Sequence, residues 1–242
     1  GGAERLAAQL AVTLSDEFEI VVACLDAAGL WAPEVRAAGV HVIELHRQPG
    51  IDLAVPMRLA KLAWQRNVGL LHAHQYSPYF YAVLGHCLAP RAKVLFHEHG
   101  RHYPEIDSPK RIAVNKNLFA RATSRVVAVS ADVKERVVRY EGLPSELIEV
   151  VYNGTKAPPP ADDGVKASIR AGLGLSSDDI VAGTVGRLDP VKNVPLAIAS
   201  LAELAPAYPK LKVLLIGDGP ARGDIEASIE THGMGDRVIM TG

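Results

Sequence analysis

The sequence predicts an α/β protein whose strands run parallel and are joined by helices, and three observations carry that prediction. Short apolar runs of strand length alternate with amphipathic stretches of helical spacing along nearly the whole chain, the pattern of βαβ crossovers. One Pro-rich stretch, PPPADDG at 158–164, interrupts the alternation, which then restarts. Polar residues collect just after the apolar runs, where open α/β sheets hold their ligands.

The elements follow in order. Leu6, Leu10 and Leu14, behind Gly1-Gly2, predict an amphipathic helix over 3–15. FEIVVACL (18–25) and VHVIEL (40–45) read as buried strands. Pro56 suits the first turn of a helix that turns Leu59, Leu62 and Ala63 inward. Four more strands are expected at 69–73, 93–97, 125–129 and 148–152, separated by helices over 76–88, 109–122 and 131–140. The Asn153-Gly154 turn and the proline run predict a first domain over 1–153, a linker over 154–164 and a second domain over 165–242. The second holds a strand at 180–185, a helix at 193–205, a strand at 211–216, a helix at 220–231 and a strand at 237–241, about half of a doubly wound domain.

Composition narrows the function. The 242 residues suffice for one large or two modest domains. With 48% hydrophobic and 22% charged residues the chain is neither collagen-like, disordered nor a disulfide scaffold. No run reaches the ~18 apolar residues of a spanning helix. Lys+Arg total 26 against 27 Asp+Glu, so the chain lacks the basic field of a nucleic-acid binder. The two cysteines, Cys24 and Cys87, suggest a reducing cytoplasm. The opening Gly1-Gly2-Ala3-Glu4 carries no initiator Met and no signal segment, and the chain reads as a fragment.

Sorting polar residues by strand end gives His74 after 69–73, His97 and His99 closing 93–97, Ser130 after 125–129, Arg187 after 180–185 and Gly217-Asp218-Gly219 after 211–216. Two sheets facing each other with these ends would enclose a cleft. In VGRLDPVKN (185–193), Arg187 leaves a strand and Lys192 sits beside the next helix, so a phosphate there meets two cations and a helix N-terminus. Two solvated loop charges are the equal alternative. Gly217-Asp218-Gly219-Pro220 permits close backbone approach but is no dinucleotide fingerprint, since Arg222 holds the third glycine position. Gly1-Gly2 ahead of a helix is a device that admits phosphate.

His72, His74, His97, His99 and His102 invite a zinc reading. Side chains two apart on one strand share a face, but a site also needs convergence from different loops, so a polar cleft lined by histidine is expected instead and no metal is assigned. No G-x-S-x-G elbow is present, which argues against an α/β-hydrolase. The stretch 108–125 carries Lys110, Arg111, Lys116, Arg121 and Arg125 with Ile112, Leu118 and Phe119. It reads as a solvated helix face, with contact to anionic lipid as the alternative.

Several motifs together resemble the retaining family-4 glycosyltransferases of the GT-B fold: GGAER (1–5), HAHQY (72–76), HEHGR (97–101), VAVS (127–130), VYNG (151–154), VGRLDPVKN (185–193) and LIGDGP (215–220). They occur in the family's order and cover nearly the whole chain. The resemblance implies two Rossmann-like domains, the second incomplete here, binding donor mostly through the C-terminal domain and acceptor mostly through the N-terminal one. The donor is a nucleotide-diphosphate sugar, UDP-, GDP- or ADP-linked, used as co-substrate without a cofactor. It further implies that Arg187 and Lys192 hold the donor diphosphate, with Gly1, Gly2, Gly186, Gly217, Asp218 and Gly219 around it. His99 contacts the transferred sugar, and His74, Arg101, His102 and Tyr103 lie toward a glycan, lipid-linked or small-molecule acceptor. The reaction expected is metal-independent transfer with retention, in the cytoplasm or at the inner face of a membrane.

Family members also carry a strand ahead of the glycine turn and a pair of glutamates beyond the last strand here. Against that pattern the chain reads as truncated at both ends, with little donor turnover expected. Two alternatives stay open: a sugar-nucleotide epimerase with Glu98 or Asp107 as acid or base, and a binding module that keeps the cleft without the chemistry.

Overall fold

A computed structural model describes residues 2–100, 108–155 and 157–242. The chain divides into two compact units, Gly1–Thr155 and Lys156–Gly242. The first runs α1 (Gly2–Leu14), β1 (Val21–Cys24), α2 (Ala32–Ala37), β2 (His41–Glu44), α3 (Ala54–Gln65), β3 (Leu70–His74), α4 (Tyr76–Leu88) and β4 (Lys93–Glu98). It continues with α5 (Pro109–Val114), α6 (Ala120–Ala122), β5 (Thr123–Ala128), α7 (Ala131–Arg136) and β6 (Ile148–Val150). A two-stranded parallel sheet pairs β1 with β2, and a four-stranded parallel sheet runs β3-β4-β5-β6. The second unit holds α8 (Asp163–Gly172), β7 (Ile180–Val185), α9 (Val194–Leu204), β8 (Leu211–Ile216), α10 (Arg222–Thr231) and β9 (Val238–Met240), its strands in the parallel order β7-β8-β9.

The four-stranded sheet packs on an aromatic core. Tyr79 on α4 stacks on Phe96 of β4 at 4.2 Å and meets Phe119 edge-on at 5.8 Å. The buried Tyr79 hydroxyl bonds Thr123 Oγ1 at 2.8 Å, and Thr123 Oγ1 donates to the Phe119 carbonyl at 2.7 Å, so this polar chain closes inside the core. In the second unit Ile198 of α9, Leu215 of β8 and Ile225 of α10 form the centre of a separate core.

Several elements depart from the sequence expectations. The run at 18–25 pairs only over Val21–Cys24, and Phe18 is 59% exposed, because the helix-to-strand turn at 15–18 carries it outward. Pro56 does lie in the first turn of α3, as expected, and the helix begins at Ala54, where Asp52 Oδ1 accepts from the Ala54 N–H at 2.8 Å. The predicted linker ends early, since α8 opens at Asp163 with Asp162 as its N-cap accepting from Gly164 and Val165. Gly164 and Gly172 hid this helix in the sequence, glycine being a poor helix former.

The helix predicted over 109–122 is α5 and α6 joined by a π turn at Asn115–Phe119, and α7 runs on into a second π turn at Val137–Glu141. These turns meet at a buried charge. Glu141, fully buried, accepts from Asn115 Nδ2 at 3.0 Å and pairs with Arg111 Nε at 3.1 Å. Tyr76 donates to Asn115 Oδ1 at 3.1 Å while the Arg111 guanidinium lies 5.0 Å over its ring. The network braces the start of α4, directly after β3. It also changes the reading of 108–125: Phe119 belongs to the core and Ile112 packs against Gly142, leaving Leu118 (53% exposed) and Val114 as its exposed large apolar side chains. Among the described residues no helix is long and apolar enough to cross a membrane.

Phe96→Ala should lower unfolding free energy by about 3–5 kcal/mol, while Leu30→Ala at the exposed surface should shift it by less than about 0.5 kcal/mol. Urea unfolding of both variants checks the placement of the core.

Candidate functional site

Parallel pairing gathers the polar residues of the first unit. β3 and β4 pair with His74 opposite His97, and β4 and β5 pair with Glu98 opposite Ala128, so consecutive strands end at one edge. His74 is the last residue of β3, not the first after it, and His99 follows β4 directly. Their rings meet, His74 Nδ1 lying 2.8 Å from His99 Nε2. The rings of His97 and His99 stack at 4.1 Å, and those of His72 and His74 lie 4.3 Å apart. One ring nitrogen from each of His72, His74 and His97 falls within 4.8 Å of the other two. This convergence corrects the spacing argument, which sought ligands from separate loops: strands in parallel register supply it themselves.

Burial holds these imidazoles neutral. Desolvation, with smaller contributions from the neighbouring rings, pushes His74 down to about 2 and His99 down to about 4; Glu4 acts weakly in the opposite sense on His99. His72 and His97 shift downward from the same primary cause.

Two features here carried no sequence signal. Gln75, between β3 and α4, has φ 70° and ψ 170°, backbone space that is essentially glycine's and costs on the order of 1–3 kcal/mol. Its N–H donates to the His97 carbonyl at 2.9 Å, and that bond with the Tyr76 network holds the strained turn in place. Glu98 is buried, with Oε1 accepting from the N–H groups of His99 at 3.0 Å and Gly100 at 3.2 Å, so it shapes the turn that presents His99. Ser130 caps α7, its Oγ accepting from Val133 at 3.1 Å. Gly1, Arg101, His102, Tyr103 and Asp107 lie outside the described residues. Gly2 opens α1, and an added Cβ there would meet nothing within 4 Å.

In the second unit two loops lock together through their backbones. Leu188 N–H donates to the Asp218 carbonyl at 3.0 Å, Ala221 N–H to the Leu188 carbonyl at 2.9 Å, and Gly186 N–H to the Ile216 carbonyl at 2.9 Å. A Cβ on Gly217, at φ +130°, would sit 2.1 Å from the Gly186 carbonyl oxygen, and one on Gly219 would sit 2.3 Å from that of Leu188. The close approach that the sequence suggested between strand and helix is thus between loop and loop. Asp218 turns its Oδ1 onto the Gly219 N–H at 2.8 Å.

The locked pair carries the basic residues. The exposed Arg187 pairs with Asp189 Oδ2 at 2.7 Å, a contact the sequence reading missed, while Asp189 Oδ1 accepts from Val191 N–H at 3.2 Å. Lys192 ends the 3₁₀ turn Pro190–Lys192, and Asn193, in the left-handed region at φ 47°, redirects the chain into α9. Lys192 thus sits directly ahead of α9, and Arg187 opens the same anchored loop.

The chain matches the description Glycosyltransferase Family 4 over residues 1–157 and Glycosyl transferases group 1 over residues 165–242. Relatives include a D-inositol 3-phosphate glycosyltransferase of Segniliparus rotundus, 28% identical over 145 residues, which are 56% of this chain and 31% of that protein. An alpha-D-kanosaminyltransferase of Streptomyces kanamyceticus is 32% identical over 124 residues, 50% of this chain and 32% of that one. The chain thus matches about a third of the length of these relatives. Among solved structures, HepE of Anabaena in complex with UDP superposes with a TM-score of 0.81 at 24% identity, covering 100% of this chain and 66% of that one. A glycosyltransferase from Rickettsia africae gives 0.84 at 16% identity, covering 100% and 65%. These likenesses show the GT-B fold. They do not favour the epimerase alternative; of its two expected acid or base residues, Glu98 accepts two turn N–H groups and Asp107 lies outside the described residues.

Two outcomes test the geometry. Histidines with depressed folded values bind fewer protons than in the unfolded chain, so stability should hold above about pH 6.5 and fall as the pH drops from there toward 4. Denaturant titrations across pH 7 to 5, with His74→Gln flattening the slope, measure this. Gly217→Ala should destabilise the second unit by more than about 1 kcal/mol, whereas Gly223→Ala, in the open first turn of α10, should leave it unchanged or raise it by up to about 1 kcal/mol.

Proposed function

Since the chain belongs to glycosyltransferase family 4, we propose that it transfers a sugar from a nucleotide-diphosphate sugar to an acceptor, with retention at the anomeric carbon and without a catalytic metal. The observation that carries this reading is the anchored loop that presents Arg187 and Lys192 ahead of α9.

Breaking the anomeric C–O bond leaves negative charge on the diphosphate. Preorganised cations where that charge develops lower the barrier, and Arg187, Lys192 and the N-terminus of the 11-residue α9 are such groups. Asp189 orients the guanidinium and leaves its remaining N–H groups for phosphate oxygens. Gly186, Gly217, Asp218 and Gly219 form the backbone wall beside it. A Cβ added at Gly2, which opens α1, would meet nothing within 4 Å, so no packing contact there requires glycine. These side-chain cations meet the diphosphate charge without a bound divalent ion.

His99 contacts the transferred sugar as a neutral ring. An imidazolium there would repel the oxocarbenium-like charge that develops on the sugar, and burial prevents it from forming near neutral pH. His74, hydrogen-bonded to His99, is assigned to the acceptor side. HepE of Anabaena is solved with UDP-glucose, which makes a uridine donor the first to try. Exposed Leu118 and Val114 beside Lys116 and Arg121 form a small basic and apolar patch that suits a lipid-linked acceptor at an anionic membrane surface.

Calorimetric titration with UDP, GDP and ADP in excess chelator tests the diphosphate site. One nucleotide should bind, weakened by about 1.5–3 kcal/mol in each of Arg187→Ala and Lys192→Ala. Binding equal in wild type and both variants would refute the assignment. In the same chelator, transfer should persist and the product should keep the donor's anomeric configuration by NMR; loss of transfer reversed by Mg²⁺ or Mn²⁺ would disprove metal independence.

A further inference from the structure

The proposed transfer employs His74 and His99 but gives His72 and His97 no task. His97 is 7% exposed, and both its ring nitrogens are buried without a hydrogen-bond partner among the described residues. A neutral imidazole carries one donor and one acceptor, and burying both unsatisfied is costly. Beside it stand two more imidazoles from the neighbouring strand. His72 and His74 project from the same face of β3, His74 opposite His97 in the register, and the His72 and His97 rings are parallel within 1° at 5.5 Å. Such clustering of bases with an orphaned nitrogen is what a ligand-free metal site looks like.

We propose that His72, His74 and His97 bind a late first-row divalent ion, zinc foremost, with the fourth coordination position open on the exposed His72 side. The ligand nitrogens already lie within 4.8 Å of one another. Tetrahedral zinc with nitrogen at about 2.0–2.1 Å needs them about 3.3 Å apart, a closure that ring rotation of the exposed His72 supplies in part. Three imidazoles select zinc, copper(II) and nickel(II) over magnesium and calcium, which take oxygen ligands. The rings are neutral near pH 7, the form that coordinates. The hydrogen bond between His74 and His99 makes His99 an outer partner of the ion, of the kind that fixes a ligand's orientation. The residues proposed to hold the diphosphate, Arg187 and Lys192, belong to the second unit.

The test uses the whole chain, free of any polyhistidine tag and stripped with chelator, titrated with Zn²⁺ against a chromophoric competitor and with Co²⁺ by absorption. One ion should bind per chain, with the intense visible bands of tetrahedral cobalt. His72→Gln should weaken it at least ten-fold without moving the metal-free unfolding midpoint, and His46→Gln, at an exposed histidine outside the cluster, should not weaken it. Mg²⁺ at the same concentration should leave the zinc affinity unchanged. Absence of zinc uptake, or equal affinity in wild type and His72→Gln, would overturn the proposal.

Discussion

Every strand of both units runs parallel to its neighbours, and that one constraint positions the chemistry. In a parallel sheet all strands end at the same edge, so the residue that closes each strand is delivered beside the residue that closes the next. β3 and β4 end on His74 and Glu98, and their register sets His74 against His97. In each unit separately, the helices that return the chain between strands open at the strand-ending edge of their own sheet: Ser130 caps α7 in the first, and α9 opens behind Lys192 in the second. The reactive groups gather there because the backbone direction is uniform.

The edge still has to be held, and each unit does so differently. In the second unit backbone is pressed on backbone: Gly217 and Gly219 allow one loop to lie against the carbonyls of Gly186 and Leu188, closer than any side chain permits. Arg187 thereby leaves a rigid base, and Asp189 fixes its direction. In the first unit the holding is by side chains. Buried Glu141 draws Asn115 and Arg111 together, and Tyr76 ties both to the turn after β3. A fully buried carboxylate is costly unless its partners satisfy it, so the network is an all-or-none brace. The two π turns that form it each carry one of the paired residues, Asn115 and Glu141.

Burial then sets the protonation of the edge. The imidazoles of His72, His74, His97 and His99 crowd together, and desolvation is the largest cause that disfavours a charge on each. The same desolvation that keeps His99 uncharged keeps His72, His74 and His97 neutral as well.

The sequence by itself determined the alternation of strands and helices, with His74 and His99 at the ends of β3 and β4 and Arg187 just after β7. These are legible because they rest on periodicity, on turn residues and on the order of motifs, all properties of neighbours along the chain. It mislaid α8, whose glycines mask a helix capped by Asp162, and it placed Phe119 on an amphipathic surface. Only the tertiary structure decided that Phe119 packs in the core, that Asp189 pairs with Arg187, that Gln75 sits in glycine's backbone space, and that His72, His74 and His97 converge. Each of those depends on which residues of different segments lie opposite one another, and register between strands is a property of the folded sheet that no local pattern encodes.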